Sequence, residues 1–183
     1  SALDGLETLL QSLLEISKME TGLIQMNKKK LPLMDTVISA VNRTYPKADE
    51  KEIEFVFDYE KELETCTIMQ DKRWIGEAVI NVLDNAVKYS PCGSKIFIRL
   101  QKRNDLVRME IEDQGIGIPQ NEYHKIFQRF YRGSSKEVME KSGTGIGLFL
   151  SREIIEKHAG MITVTSGKKK KGSTFVIQLP YVG

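Results

Sequence analysis

Residues 71–89 restrict what this chain can fold into more than any other stretch. Read as a helix from Asp71 to Tyr89 and counted from Glu77 at about 100° per residue, Asn81 falls at about 40°, Asn85 at about 80° and Lys88 at about 20°. Ile75, Val79, Val82, Leu83 and Ala86 gather on the opposite side, between about 140° and 240°. One face is committed to a core, so a second layer must lie beneath it. The other shows a carboxylate, two carboxamides and an ammonium in one column. Asparagine is an indifferent helix former, and a surface helix ordinarily carries Glu and Lys instead. Amide oxygens are hard, neutral ligands of the kind Mg2+ shares with substrate phosphates, and Lys88 can meet phosphate as a point charge. Spacing alone leaves two readings open, a functional column and a solvated face.

Periodicity places the rest. Leu3, Leu6, Leu10 and Leu13, with Leu9 and Ile16, form a wide apolar stripe of helical period that Gly22 breaks. Such a helix hides its stripe in a coiled coil or bundle, or on the surface of its own domain. Residues 23–31 read as a short strand, and Pro32 suits the start of a helix from Leu33 to Tyr45, with Val37, Ile38 and Val41 inward, ending before Pro46. Residues 53–57 and 66–69 read as strands, and Asp71 as the N-cap of the two-faced helix. Residues 96–100 and 106–111 alternate as strands around an Asn104-Asp105 turn. A loop with short helices covers 113–142, and a helix from Gly145 to His158 is capped by Gly160. Strands from Met161 to Thr165 and from Ser173 to Leu179 close the chain. The expected fold is α/β, a two-layer sandwich whose mixed sheet is backed by three helices, with a helical stub at 1–22 and the domain proper at 23–183.

Two glycine-rich strings flank this pattern. In Asp113-Gln-Gly115-Ile-Gly117-Ile118-Pro119 the glycines let backbone approach a ligand, and an ionised Asp113 offers only acceptors. Adenine presents an exocyclic amine where guanine presents a carbonyl, so a buried Asp113 selects adenine. A strand-ending Asp followed by glycine turns is the other reading the string allows. Gly143-Thr144-Gly145-Ile-Gly147-Leu148 leads into a helix, whose free N–H groups and positive dipole end suit anionic phosphate. Thr144 adds a hydroxyl. The string is not the dinucleotide fingerprint, because its third glycine comes one position early and a helix, not a strand, precedes it. Phe127-Gln-Arg129-Phe130-Tyr-Arg132 packs a short helix into the core, or forms a hinge for residues 133–142, a polar stretch suited to a lid over bound nucleotide. Gly167 to Thr174 mimics a phosphate loop but lacks the required lysine and joins two strands, which makes it a solvated hairpin turn.

A length of 183 residues accommodates one domain with an appendage, large enough to need no disulfide or metal staple. A net charge of +2 gives no pull toward nucleic acid or an anionic membrane. Cys66 and Cys92 lack metal-ligand spacing and read as thiols of a reducing compartment. His124 and His158 fall near helix ends, where a histidine is structural or exposed. No apolar run approaches the ~20 residues of a membrane span and no signal peptide is visible, so a soluble piece is expected. The abrupt start at Ser1-Ala2-Leu3, inside a helical pattern, suggests a piece of something longer.

Together and in this order, the column of 77–89, the string from Asp113, the aromatic string from Phe127 and the string from Gly143 resemble the N, G1, F and G2 boxes of the sensor histidine kinases, members of the GHKL ATPase superfamily. The resemblance implies a Bergerat-type sandwich that binds ATP and Mg2+. It assigns Asn85 to Mg2+, Asn81 and Lys88 to the phosphates, Tyr89 to the adenine ring and Asp113 to the adenine amine. Gly115, Gly117 and Ile118 shape the pocket floor, and Phe130 belongs to the nucleotide site. Gly143, Thr144, Gly145, Gly147 and Leu148 form the phosphate loop, and Arg132 reaches the terminal phosphate. Glu77 matches the glutamate that polarises water in hydrolysing relatives, or orients an incoming histidine here.

The helix of residues 3–20, with the string from Leu13 to Gly22, looks like the second helix of the family's dimerisation and phosphoacceptor hairpin, while neither His124-Lys125 nor His158-Ala159 resembles the phosphoacceptor motif. The implied protein is a kinase passing the γ-phosphoryl of Mg-ATP to a histidine outside this chain. Its partners would be the missing helix, a homodimer mate and a response regulator. A relative that hydrolyses ATP and a nucleotide-sensing scaffold are the rival readings.

Overall fold

The computed structural model describes residues 2–167 and 171–181; Lys168, Lys169 and Lys170 of the expected hairpin turn lie outside the described residues. The helices are α1 (Ala2–Glu20), α2 (Leu33–Asp49), α3 (Lys72–Tyr89), α4 (Lys136–Glu140) and α5 (Gly147–Lys157). The strands are β1 (Lys29–Pro32), β2 (Glu54–Tyr59), β3 (Thr67–Gln70), β4 (Lys95–Arg103), β5 (Leu106–Glu112), β6 (Met161–Ser166) and β7 (Ser173–Pro180). Five of them form one sheet in the order β2-β4-β5-β7-β6, with β2 parallel to β4 and the other pairs antiparallel. β1 and β3 form a separate antiparallel ribbon. A mixed sheet backed by α2, α3 and α5 is the two-layer sandwich that the sequence implies.

Period decides which side chains meet. Ile96, Ile98 and Leu100 of β4 and Val107, Met109 and Ile111 of β5 alternate onto the helix-facing side and are buried. Against them lie Ile75, Val79, Val82, Leu83 and Ala86 of α3, all buried, and Ile154 and Ile155 of α5. Each such aliphatic side chain contributes about 1.5–3 kcal/mol when fully buried. With that stripe fixed to the sheet, the opposite column of α3 has to face away from it. Asp71 starts the helix, its carboxylate accepting from the amides of Arg73 and Trp74 at 3.2 and 3.4 Å. The Asp71 amide donates in turn to Nε2 of His158 at 3.0 Å, and Nδ1 of that ring meets the Ile154 carbonyl at 2.8 Å. Burial holds the His158 pKa below its ordinary value. His158 is therefore a neutral brace between the end of α5 and the start of α3, while His124 is exposed.

Several local expectations change in the tertiary structure. α2 runs on to Asp49 with Pro46 inside it rather than stopping before the proline. In the last turn Pro46 forfeits only its own donor, while its carbonyl still accepts from Glu50 at 3.2 Å and Ala48 is wholly buried. Ile38 is 45% exposed, because the core face of α2 is set by Val37, Val41 and Thr44 instead. Of the first expected strand only residues 29–31 pair, and Pro32, expected to start a helix, pairs with them; Gly160 is not the left-handed residue beyond α5: Ala159 is, at φ 56°. Gly160 answers to packing, since a Cβ there would lie 2.4 Å from the Gln178 carbonyl oxygen.

α1 divides its stripe between both destinations. Ile16 and Met19 are buried, Leu9 and Leu13 pack partly against the core, and Leu3, Leu6, Leu10 and Leu14 stay exposed. Ion pairs from Glu15 to Arg73 (3.7 Å) and from Glu20 to Arg129 fasten the docked end. Among the described residues no helix is long and apolar enough to cross a membrane.

Candidate functional site

A cavity of about 540 Å3 opens between α3, the loop after β5, the segment before α5 and the start of β7. That volume falls in the range of small-molecule sites, ~300–1,000 Å3. α3 lines it with Asn81, Asn85, Lys88 and Tyr89, the loop after β5 with Asp113, Gly117 and Ile118, and the glycine loop with Gly143, Thr144, Gly145, Gly147 and Leu148. Arg132 joins them from the aromatic string. Thirteen of the candidate residues thus surround one space although they come from four separated stretches. Three do not line it. Glu77 lies one turn before Asn81 and pairs with Arg43 of α2 at 2.8 Å. Gly115 packs against the backbone of Tyr89, and Phe130 is 56% exposed at φ 60°.

Asp113 is buried at the inner end. Its Oδ1 accepts from the amides of Gly115 at 2.8 Å and Ser173 at 3.2 Å. Among the described residues its second oxygen has no hydrogen-bond partner, and the residue lines the cavity. Burial pushes the carboxyl up to about 6, against the pull of those two amides. The loop can pack this tightly because Gly115 has no side chain: a Cβ would stand 2.6 Å from the Tyr89 carbonyl oxygen. At the other end the glycine loop folds back on the aromatic string. Gly145 adopts φ 71°, and a Cβ there would stand 2.6 Å from the carbonyl carbon of Phe130. The turn leads into α5 at Gly147, whose carbonyl accepts from Asn81 Nδ2 at 3.2 Å, tying the two phosphate-suited elements together. Phe127 is buried, edge-on to Phe175 at 6.3 Å, so one of the two phenylalanines fills the core and the other does not.

Four cations, Lys47, Lys51, Lys88 and Arg132, line the cavity together with Glu50, Asp84, Asp113 and Glu122. Lys88 donates to the Ser142 carbonyl and Arg132 to those of Val138 (2.6 Å) and Lys141. Burial, with Arg132 nearby, holds the Lys88 pKa down. Lys51, at the end of α2, donates to the carbonyls of Val87 and Ser90 at 2.6 and 2.5 Å, where a cation suits the negative end of the α3 dipole. Ser134 Oγ donates to the buried carboxylate of Glu122. The segment 133–142 is therefore tied down at both ends.

Mg2+, which the family resemblance implies, fits this donor set. Asn85 lines the cavity and makes no side-chain hydrogen bond among the described residues, and no cluster of three His, Cys, Asp or Glu competes for a metal there. One hard amide oxygen is the sparse protein contribution that Mg2+ accepts. Sequence reasoning missed Ser173, Lys51 and Glu122. The signal for Ser173 was present in the alternation of β7, which carries Ser173 and Phe175 to the same side as Ile177 and Leu179.

A mixed sheet with its nucleotide-sized cavity between a two-asparagine helix, a buried aspartate and a glycine loop defines the Bergerat class of ATP-binding sandwiches. The chain belongs to the histidine kinase-, DNA gyrase B- and HSP90-like ATPase family, whose model matches residues 70–183. Over 175 residues it is 31% identical to the sensor histidine kinase WalK of Bacillus subtilis, which covers 94% of this chain and 28% of WalK. It spans less than a third of the length of the curated relatives it matches. The mycobacterial sensor histidine kinase MprB superposes with a TM-score of 0.73 at 28% identity, over 84% of this chain and 97% of that one. ShkA, solved at full length in complex with AMPPNP, shares the fold at a TM-score of 0.82 and 22% identity, over 98% of this chain and 36% of that one. This is an ATP-binding domain of the sensor-kinase type.

Proposed function

We propose that this chain is the catalytic part of a sensor histidine kinase, binding Mg-ATP and passing its γ-phosphoryl to a histidine supplied from a helical hairpin outside residues 1–183. The observation that carries the reading is the convergence of Asn81, Asn85 and Lys88 with the buried Asp113 and the glycine loop on one cavity. Asp113 accepts from the adenine amine, Tyr89 flanks the ring, and Gly117 and Ile118 floor the base pocket. Lys88, Arg132 and the amides at the start of α5 hold the phosphates, and Asn85 takes Mg2+, which screens their charge when bound. Transfer breaks the β–γ bridging P–O bond and forms a P–N bond; ADP leaves with the electron pair. The protein's share is positioning and charge stabilisation, as for other phosphoryl transfers.

Residues 1–22 serve as the end of the dimerisation hairpin, and the exposed leucines of α1 are the face it offers to the rest of that bundle. The parent would act in the cytosol, anchored to a membrane elsewhere, with a response regulator as the next acceptor. Glu77 lies off the cavity wall and is paired with Arg43, which disfavours the water-polarising role of the hydrolysing relatives. Single-turnover incubation with γ-labelled ATP and a histidine-bearing two-helix hairpin is the test. Acid-labile label on the hairpin supports the kinase; steady phosphate release with no label on the hairpin supports an ATPase instead.

A further inference from the structure

Four cations gather where the end of α3 meets the segment 133–142: Lys51, Lys88, Arg132 and Lys141. All donate to backbone carbonyls, and none is ion-paired with a carboxylate among the described residues. Two of the bonds are reciprocal. Lys88 Nζ donates to the carbonyl of Ser142, and Lys141 Nζ donates to the carbonyl of Lys88 itself. Both ammonium groups lie over the Tyr89 ring, at 5.0 and 5.5 Å from its centroid. Arg132 closes the same segment from within, through the carbonyls of Val138 and Lys141. The Lys88 ammonium, which the nucleotide reading assigns to phosphate, is thereby already engaged by the segment above it. Lys141 belongs to none of the four sequence strings.

We propose that Lys141 is a positioning residue that acts through Lys88: its clasp on the Lys88 carbonyl keeps the Lys88 ammonium on Ser142, and the phosphate chain of a nucleotide has to displace that contact to bind. The inference rests on the ATP reading above. A neutral carbonyl is the weaker acceptor, since charge-assisted bonds to an anion are roughly twice as strong. Phosphate therefore wins the ammonium, and the clasp loses one of its two bonds. Adenosine carries the base and ribose but no phosphate, so it leaves the clasp in place. The clasped population lowers the apparent affinity for phosphorylated nucleotides alone.

The test is calorimetric titration of the chain, and of its Lys141→Met and Lys141→Arg variants, with Mg-ATP and with adenosine. Lys141→Met should bind Mg-ATP about three- to tenfold more tightly and adenosine as before. Lys141→Arg retains a cationic donor and should behave like the unaltered chain. Without nucleotide, the amides of Met139 and Lys141, which donate to Ser135 and Val138 carbonyls, should exchange with deuterium faster in the Lys141→Met variant than in its parent. Weaker or unchanged Mg-ATP binding by Lys141→Met, an equal shift for adenosine, or unchanged exchange overturns the proposal. An unaltered chain that binds neither ligand sinks the nucleotide reading itself and the clasp with it, which separates the two failures.

Discussion

Asp113→Asn keeps the size and shape of a side chain while removing a charge that the fold buries. Asp113 is 5% exposed, and its carboxyl titrates at about 6 instead of the ordinary 3.8. Burial is the main cause, and repulsion from Glu112 adds to it, while the amides of Gly115 and Ser173 pull the other way. Between 3.8 and about 6 the folded chain holds a proton that the unfolded chain has released. Stability therefore falls as pH rises through that window, and the loss is complete above it. A shift of about two units corresponds to about 3 kcal/mol. Asparagine carries no such charge, and its Oδ1 can keep both amide bonds. The variant should match its parent near pH 4 and exceed it by about 1–3 kcal/mol at pH 8. Affinity should move the opposite way, because an amide donor then faces the adenine amine and two donors oppose one another. Mg-ATP binding should fall more than about a hundredfold, and the preference of the parent for ATP over GTP should shrink. Urea denaturation at pH 4, 6 and 8, with calorimetric titration of both nucleotides, measures both effects. A variant no more stable than its parent at pH 8, or one that binds ATP as well as its parent does, would refute the reasoning.

Asn85→Ala should weaken Mg-ATP binding far more than metal-free ATP binding. Val79→Ala, wholly buried on the other face of α3, should cost about 1–3 kcal/mol and leave affinity unchanged once folded; the reverse pattern in titrations with and without Mg2+ would reject the assignment of faces. Gly145→Ala places a Cβ against the Phe130 backbone at a left-handed position, so stability should drop by about 1–3 kcal/mol and ATP affinity at least tenfold, read by thermal melting and titration. Incubated alone with γ-labelled ATP, the chain should not label itself, because His158 is buried with both nitrogens engaged and His124 lies outside the cavity. Labelling abolished by His124→Ala or His158→Ala would place the acceptor inside this chain.

The two faces of α3, its cap at Asp71, the positions of most strands along the chain and those of the glycine turns were legible in the residues themselves. Each follows from interactions within a few residues along the chain: a period of 3.6 or 2, a side chain reaching the next turn's amide, or the absence of a Cβ. Thirteen candidate site residues, picked from such local strings and from the family resemblance those strings carry, line the one cavity. The tertiary structure alone decided what depends on distant neighbours. It buried Asp113 and so raised its pKa, brought Ser173 to the same carboxylate from 60 residues away, and set Glu77 against Arg43 rather than in the cavity. It also carried α2 through Pro46, split the α1 stripe into a docked and an open half, and closed Lys141 onto the backbone of Lys88. Local chemistry specifies which groups are available; burial and long-range contact specify their charge state and the partners they meet, and no window along the chain contains that information.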